Sequence, residues 1–420
     1  MILLEELIAS MVPSYLRMTI LTYDFWPMSS NLFSILTHAQ LIDKVRWFDA
    51  IKYAKTRNYL NGWVSQLSPY ITHGVITIDE IVRLSLTQYT IDQAEMRYKE
   101  LLWREYFVQV HWHKGDTIFA DMDADSTWIS KQHILPEQMM SKTFGSAWVN
   151  QSILQLETSG YLHNHQRMWL ASYLTHRHKL HRSKCADRSY YHFLDGELWS
   201  NHLSWQWVQS TFSHKPYFMN EENLTRYGRF TDVVYRGEYD DIASRIFDPK
   251  RWTDVRNSPD IHHTLATDLS CVKTSPSPSF SRGGSNDYDW YTILTPRDLH
   301  PSKITDPTQT VCVLDIQFLT RHPRSAKRIQ FVQSYCDMYG ITLVTWDIGQ
   351  IIQNSSHITI YQTRNPFYRQ AYEQASIRSD VSHHPHQWCS PAVAKWYNKK
   401  FFPFWEKTKP YLYQLQDSIV

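Results

Sequence analysis

VCVLDIQFLTRHPRSAKRIQFVQSYCDMYGITLVTWDI, residues 311–348, is where the periodicity of this chain changes. TVCVLDI (310–316) is a short apolar run that reads as a strand. PRSAKRIQFVQSYCDMYG (323–340) is amphipathic at helical spacing and is stopped by Gly340. ITLVTWDI (341–348) then returns to strand character. Strand, helix, strand at this spacing predicts a βαβ unit in a mostly parallel sheet. DWYTILTP (289–296) and HITIYQT (357–363) add two candidate strands, so a sheet of four or five is expected near 288–365. Their short apolar runs suit burial beneath helices. No Gly-rich turn follows the first strand, which argues against a dinucleotide or phosphate loop of the usual kind.

Upstream, residues 1–230 read as helices. VRWFDAIKYAKTR, YTIDQAEMRYKELLWREYFVQVHW, FGSAWVNQSILQLETS and HNHQRMWLASYLTHRHKL all repeat apolar residues every three or four positions. Between the two regions, SCVKTSPSPSFSRGGSND is rich in Ser, Pro and Gly and reads as a linker. The expected organisation is a helical domain at 1–235, an irregular linker at 236–286 and an α/β domain at 287–380. An aromatic segment at 381–420, containing KWYNKKFFPFWEKTKPYLYQL, is expected to pack back on the domains.

Composition narrows the class without choosing a function. A chain of 420 residues, 42% hydrophobic and 20% charged, is globular and long enough for two domains. No apolar run reaches the roughly 20 residues of a membrane helix, so no membrane partner is expected. MILLEELIASMVPSY carries Glu5 and Glu6 and no basic leader, unlike a secretory signal. Cys185, Cys271, Cys312, Cys336 and Cys389 are scattered and odd in number, which predicts a reducing cytoplasm rather than a disulfide framework. A net charge of +2 does not announce a nucleic-acid binder, although a local basic cleft is compatible with it. The 17 Trp and 26 Tyr fit a core, an interface or the walls of a planar-ligand pocket alike.

Four local groups carry chemistry. Glu100, Trp103 and Arg104 in KELLWREYF share one helix face. They read either as a surface ion pair beside a core indole, or as a cleft edge. In the second case Trp103 stacks on a planar ligand, Glu100 bonds a base edge and Arg104 holds anionic oxygens. Asn164 and Arg167 in HNHQRM lie one turn apart, where an Asn is also an ordinary cap. In DGELWSNHLSWQW, Asp195 and Glu197 precede Asn201, Trp205 and Trp207. Acidic groups at a helix start have a structural reason, and the set also suits a cofactor ring needing an acceptor and an adjustable donor. Ser65 and Ser68 in WVSQLSPYITHG flank a turn able to meet a phosphate. His176, His178 and His181 with Cys185 have metal-like spacing but read as a polar helix face, so no metal is expected.

In order and wording these segments resemble the flavin domain of the photolyase/cryptochrome family. SQLSPYITHGVIT is similar to S-x-L-S-P-Y-L-x-x-G-x-I-S, ELLWREY to E-L-x-W-R-E-F, SGYLHNHQRM to T-G-W/Y-M-H-N-R-x-R-M, and DGELWSNHLSWQW to D-G-D-L-A-x-N-x-x-x-W-Q-W. The resemblance runs from about residue 43 to about 230. VCVLDIQFLTRHPRSAKRIQFVQSY and WYTILTPRDLHP resemble the α/β antenna domain with which the family begins, and FFPFWEK its connecting segment. The resemblance therefore implies a circular permutation, flavin domain first and Rossmann-like α/β domain last.

It also implies one FAD, with Tyr53, Ser65 and Ser68 near its phosphates. Asn164 and Arg167 would flank the flavin, Arg167 paired to Asp195. Glu197 would serve the adenine/ribose side or the flavin edge, and Asn201 would face flavin N5. Glu100, Trp103, Arg104 and Trp207 would line the opening for a flipped pyrimidine dimer in UV-damaged DNA. The implied activity is that of a light-driven deoxyribodipyrimidine photolyase. The alternatives are a cryptochrome-like photoreceptor with a protein partner, or a scaffold whose aromatic cleft binds something else. The α/β domain is short for a pterin or deazaflavin antenna. In the family's tryptophan relay Trp205 takes the first place, Arg182 stands at the second, and the third falls near Trp128, with Tyr190 and Tyr191 as other relay candidates.

Overall fold

The computed structural model describes residues 34–122, 137–212, 215–231, 235–247, 265–272, 291–355, 357–377, 381–384 and 400–419. The predicted helix at 45–57 is two: α1 (His38–Arg46) and α2 (Ala50–Thr56). Asp49 divides them, because its carboxylate accepts from the Ile51 and Lys52 amides and starts a new helix. A short α3 (Ser68–Thr72) leads to α4 (Ile78–Leu86), which opens on a capping box between Thr77 and Glu80. The long α5 (Glu95–Lys114) buries Tyr98, Leu102, Tyr106 and Val110. α6 (Ala147–Ser159), α7 (Asn164–Ser172), α8 (Arg182–His192) and α9 (Leu198–Gln209) follow in the helical part. The helix expected through 163–180 breaks into a π-turn at Tyr173–Arg177. A further helix, α10 (Tyr239–Phe247), occupies the start of the expected linker because Ile242 and Ile246, one turn apart, are both buried.

The sheet is parallel at every pairing, as predicted. β1 (Tyr291–Leu294), β2 (Thr310–Asp315), β3 (Thr342–Trp346), β4 (Ile358–Tyr361) and β5 (Val381–His384) take the order β3-β2-β1-β4-β5. α11 (Ile316–Arg321) and α12 (Ala326–Tyr339) cross from β2 to β3, and α13 (Ile348–Asn354) and α14 (Arg369–Ser376) follow β3 and β4. The chain leaves β1 toward β3 and resumes on the other side at β4. The ends of β1 and β4 therefore flank the crevice where such sheets hold ligands.

One apolar cluster unites the two parts. It runs from Leu41, Val45, Tyr70 and Ile76 of the helical part to Leu294, Cys312, Ile329 and Tyr335 of the sheet and α12. Gly74 permits the closest approach. Its φ is +68°, and a Cβ there would stand 2.2 Å from the Arg297 carbonyl oxygen. The chain closes on α15 (Phe401–Ile419), whose Phe401, Phe404, Trp405, Leu412 and Leu415 join a second cluster with α4 and α5. The C-terminal helix thus packs on the helical part.

Candidate ligand cavity

Segments far apart in sequence meet around a cavity of about 590 Å³. α5 supplies Glu100, Trp103 and Arg104, and α7 supplies Asn164 and Arg167. The turn before α9 supplies Asp195 and Glu197, and α9 itself supplies Asn201, Trp205 and Trp207. Ser68, the first residue of α3, reaches it as well.

Arg167 is the best-anchored cation of the wall. It donates from Nη2 to Asp195 Oδ2 at 2.8 Å and from Nε to the Leu162 carbonyl at 2.8 Å. Its guanidinium lies 4.0 Å from the Phe193 ring centroid. Burial pushes the Asp195 carboxyl up, but the Arg167 charge and hydrogen bond, with the Ser68 hydroxyl, hold it below its ordinary value. The Asn201 amide is fixed by donating Nδ2 to the Ala186 carbonyl at 2.8 Å, which leaves Oδ1 as its acceptor. On the aromatic side, Trp103 stacks on Phe401 with centroids 3.8 Å apart and planes 10° from parallel. Trp207 leans on Tyr217 at 5.7 Å.

Three expectations need correction. Glu197 lines the cavity but is already engaged by other side chains. Its Oε1 accepts from Arg297 Nη2 at 2.6 Å, and its Oε2 accepts from Trp199 Nε1 at 3.0 Å and forms an ion pair with Arg104 Nη2 at 3.0 Å. Arg104, expected to hold anionic oxygens, is drawn into that network and also donates to Thr72 Oγ1 at 2.8 Å. Desolvation of a buried carboxylate requires such partners, and Arg297 comes from the turn after β1, which no local spacing reveals. Burial pushes Glu197 up, but Arg104, Arg297 and Arg364 outweigh it and keep it ionised below the ordinary range. Tyr53 and Ser65 do not line the cavity. Tyr53 packs on Phe48 at 5.5 Å, and Ser65 Oγ accepts from the Leu67 amide at 3.4 Å.

Glu100 carries an unexpected partner, Arg57, whose Nη1 donates at 3.0 Å. Burial still moves the Glu100 carboxyl above its ordinary value, against the pull of Arg57. Arg57, Arg297 and Phe401 are the functional neighbours that sequence spacing missed. FFPFWEK marked Phe401 only as part of an aromatic segment.

Arg182, expected at the second relay position, is fully buried, with Nε 2.6 Å from Asp121 Oδ1 and Nη2 3.3 Å from the Phe119 carbonyl. Trp205 makes no ring contact among the described residues, and Trp128 lies outside them. Tyr190 is buried against Arg328, 4.4 Å from the guanidinium, and Tyr191 packs on His192 at 4.9 Å. In the histidine run, His176 contacts the Val208 carbonyl at 3.0 Å and His181 caps α8. Among the described residues the run and Cys185 form no metal-holding group.

The sheet's own crevice is filled by ion pairs. Arg297 after β1 engages Glu197, and Arg364 after β4 engages Glu105. About 130 Å³ remains between them.

Fold and cavity together define a helical ligand-binding unit closed by a small parallel α/β unit. Residues 97–244 match the family model for the FAD binding domain of DNA photolyase. The deoxyribodipyrimidine photo-lyase of Alkalihalophilus pseudofirmus is 30% identical over 174 residues, 40% of this chain and 36% of that protein. That of a Synechococcus species is 23% identical over 236 residues, 53% and 45% of the two chains. A cryptochrome DASH of Idiomarina loihiensis is 28% identical over 166 residues, 37% and 36%. Among solved structures, a Synechocystis cryptochrome overlays with a TM-score of 0.42 at 20% identity, covering 47% of this chain and 44% of that one. The family-model match is confined to residues 97–244, and the chain spans less than half the length of these relatives.

Among the described residues no helix is long and apolar enough to cross a membrane.

Proposed function

We propose that the cavity binds FAD and that the protein is a light-driven photolyase acting on cyclobutane pyrimidine dimers in DNA. The observation that carries this reading is the convergence of Glu100, Trp103, Asn164, Arg167, Asn201 and Trp207 on one cavity of about 590 Å³. That size is within the ordinary range for cofactor sites, and its walls mix apolar rings with a few fixed polar groups. The match of residues 97–244 to an FAD-binding domain supports the cofactor, and the names of the relatives support DNA as substrate.

FAD, when bound and reduced, supplies a light-excitable one-electron donor. The chain's part is to hold and orient. Asn201 offers Oδ1 to a ring N–H, and the Arg167–Asp195 pair presents a cation whose position is fixed. Trp103 and Trp207 wall the opening and exclude water from a flat, apolar lesion. Glu100, raised by burial, meets the polar edge of a pyrimidine. The overall repair is redox-neutral: two cyclobutane carbon–carbon bonds break and two pyrimidines are restored.

The proposal extends to chain order. The segments similar to the family's α/β opening follow the flavin domain, so we read a circular permutation in which the helical unit runs through α10 (Tyr239–Phe247) and the α/β unit from β1 through β5 (Val381–His384). The space of about 130 Å³ at the sheet crevice is well under the ~300 Å³ at which small-molecule pockets begin, so no antenna is assigned there. Free Cys185, Cys271, Cys312 and Cys336 support a reducing, cytoplasmic setting.

A flavoprotein sensor without repair is the second reading. The observation that favours it is the Arg57–Glu100 ion pair, which engages the group meant for the lesion. Dimer-containing DNA illuminated with blue light in the presence of chemically reduced holoprotein separates the two. Loss of dimers supports the photolyase, and intact dimers with bound FAD favour the sensor.

A further inference from the structure

Away from the cavity, on the seam between the helical part and the sheet, three side chains from three separate elements converge. His38 is the first residue of α1, Glu80 lies in the first turn of α4, and His300 caps the short 3-10 turn Pro301–Lys303 in the connection from β1 to β2. Glu80 Oε1 lies 2.9 Å from His38 Nε2 and 3.0 Å from His300 Nε2. All three ligand-type atoms fall within 4.8 Å of one another. The side chains are partly open, at 26%, 27% and 14% exposure for His38, Glu80 and His300.

We propose that His38, Glu80 and His300 form a binding site for a Zn²⁺-class divalent cation that clamps the sheet unit to α1 and α4. Two imidazole nitrogens and one carboxylate oxygen form a donor set that suits late first-row ions rather than Mg²⁺ or Ca²⁺. In a tetrahedral site with metal–ligand bonds of about 2.0–2.1 Å, ligand atoms stand roughly 3.3 Å apart. The observed nitrogen–oxygen separations need to open by only a few tenths of an ångström. The remaining coordination position faces solvent and takes water.

The supports of the ligands are already built. Glu80 Oε2 accepts from the Thr77 amide and hydroxyl, both at 2.8 Å, which turns Oε1 toward the histidines. His300 Nδ1 is 2.7 Å from Ser302 Oγ. Cation binding at Nε2 moves the ring proton to Nδ1, where Ser302 Oγ accepts it in place of the cap that Nδ1 otherwise accepts from the Ser302 amide at 3.2 Å, so a neutral histidine releases no net proton. Such outer partners fix ring orientation in metal sites. Without a cation the same three groups form a hydrogen-bonded trio, and the experiment separates the two.

Untagged full-length protein, stripped with EDTA and dialysed, is titrated with Co²⁺ and followed by visible absorption, and metal content is measured after Zn²⁺ loading. The expected result is one tightly held ion per chain, a tetrahedral-type Co²⁺ band displaced by Zn²⁺, and a lower melting temperature in EDTA. His38→Gln, Glu80→Gln and His300→Gln should each abolish the stoichiometric band. X-ray absorption of the Zn²⁺-loaded wild type needs no variant and should show a shell of two imidazoles with oxygen. Absence of stoichiometric binding, binding unchanged in all three variants, or a shell without imidazole overturns the proposal.

Discussion

The indole of Trp103 lies flat on the ring of Phe401, centroids 3.8 Å apart and planes 10° from parallel. Trp103 belongs to the cavity wall and Phe401 to the first turn of the C-terminal helix, so the end of the chain sets the pose of a residue assigned to ligand stacking. Phe401→Ala removes that support. A stacked aromatic pair contributes about 0.5–1.5 kcal/mol beyond its buried area, so affinity for lesion-bearing DNA should fall by up to roughly tenfold. FAD content should change little, because Arg167 and Asn201 are untouched. Equal affinity in the variant, measured by fluorescence anisotropy, would show that Trp103 is held by other neighbours.

The Arg104–Glu197–Arg297 network is a buried ionic tie between the helical part and the turn after β1. Arg297→Met leaves Glu197 with one ion-paired arginine, Arg104. Breaking a buried pair by removing one partner costs about 3–5 kcal/mol, and the retained Arg104 places the expected loss toward the lower end. Urea denaturation measures it. Glu197→Gln strands two cations and should cost more than Arg297→Met.

Arg182 cannot be exchanged for the relay tryptophan in isolation. Arg182→Trp would leave Asp121 with His181 alone, at 3.3 Å, and should destabilise the fold toward the lower end of the about 3–5 kcal/mol that breaking a buried pair costs. Asp121→Asn/Arg182→Trp removes the charge together with its partner and is the informative variant. In the unaltered protein, photoreduction of oxidised flavin should be inefficient, since a guanidinium is a poor hole carrier and its charge disfavours a nearby radical cation. Repair by chemically reduced protein should be unaffected. Efficient photoreduction of the wild type under blue light would reveal another electron route.

Much of this was legible in the chain. Offsets of three and four placed Glu100 beside Trp103 and Arg104, and the change to short apolar runs located β1 through β4. β5 was not, because its residues Val381–His384 are mostly polar and it sits at the sheet edge. Nor were the partners that redirect the site. Arg57, Arg297 and Phe401 reach Glu100, Glu197 and Trp103 across long separations, and only tertiary packing brings them there. The same is true of His38, Glu80 and His300.

Acid should weaken the fold through its buried histidines as pH falls below about 6.5. His111 and His176 are buried, and desolvation lowers each to about 3. A histidine depressed in the folded state contributes fully above its unfolded value near 6.5 and loses that contribution as pH falls toward 3. By pH 5 the loss is on the order of 1–2 kcal/mol for each ring. Urea midpoints at pH 7.5 and 5 should therefore differ. His176→Gln, which keeps a donor for the Val208 carbonyl, should narrow the difference, and an unchanged midpoint across this range would contradict the assignment.

The central claim is that the cavity walled by Trp103, Arg167, Asn201 and Trp207 is an FAD site. The most direct measurement is the flavin released on denaturing purified full-length protein after reconstitution with FAD, alongside Arg167→Ala and Asn201→Leu. About one FAD per wild-type chain, with marked loss in both variants at unchanged melting cooperativity, is the expected result. A wild-type protein that melts cooperatively yet neither contains nor takes up FAD would contradict the account.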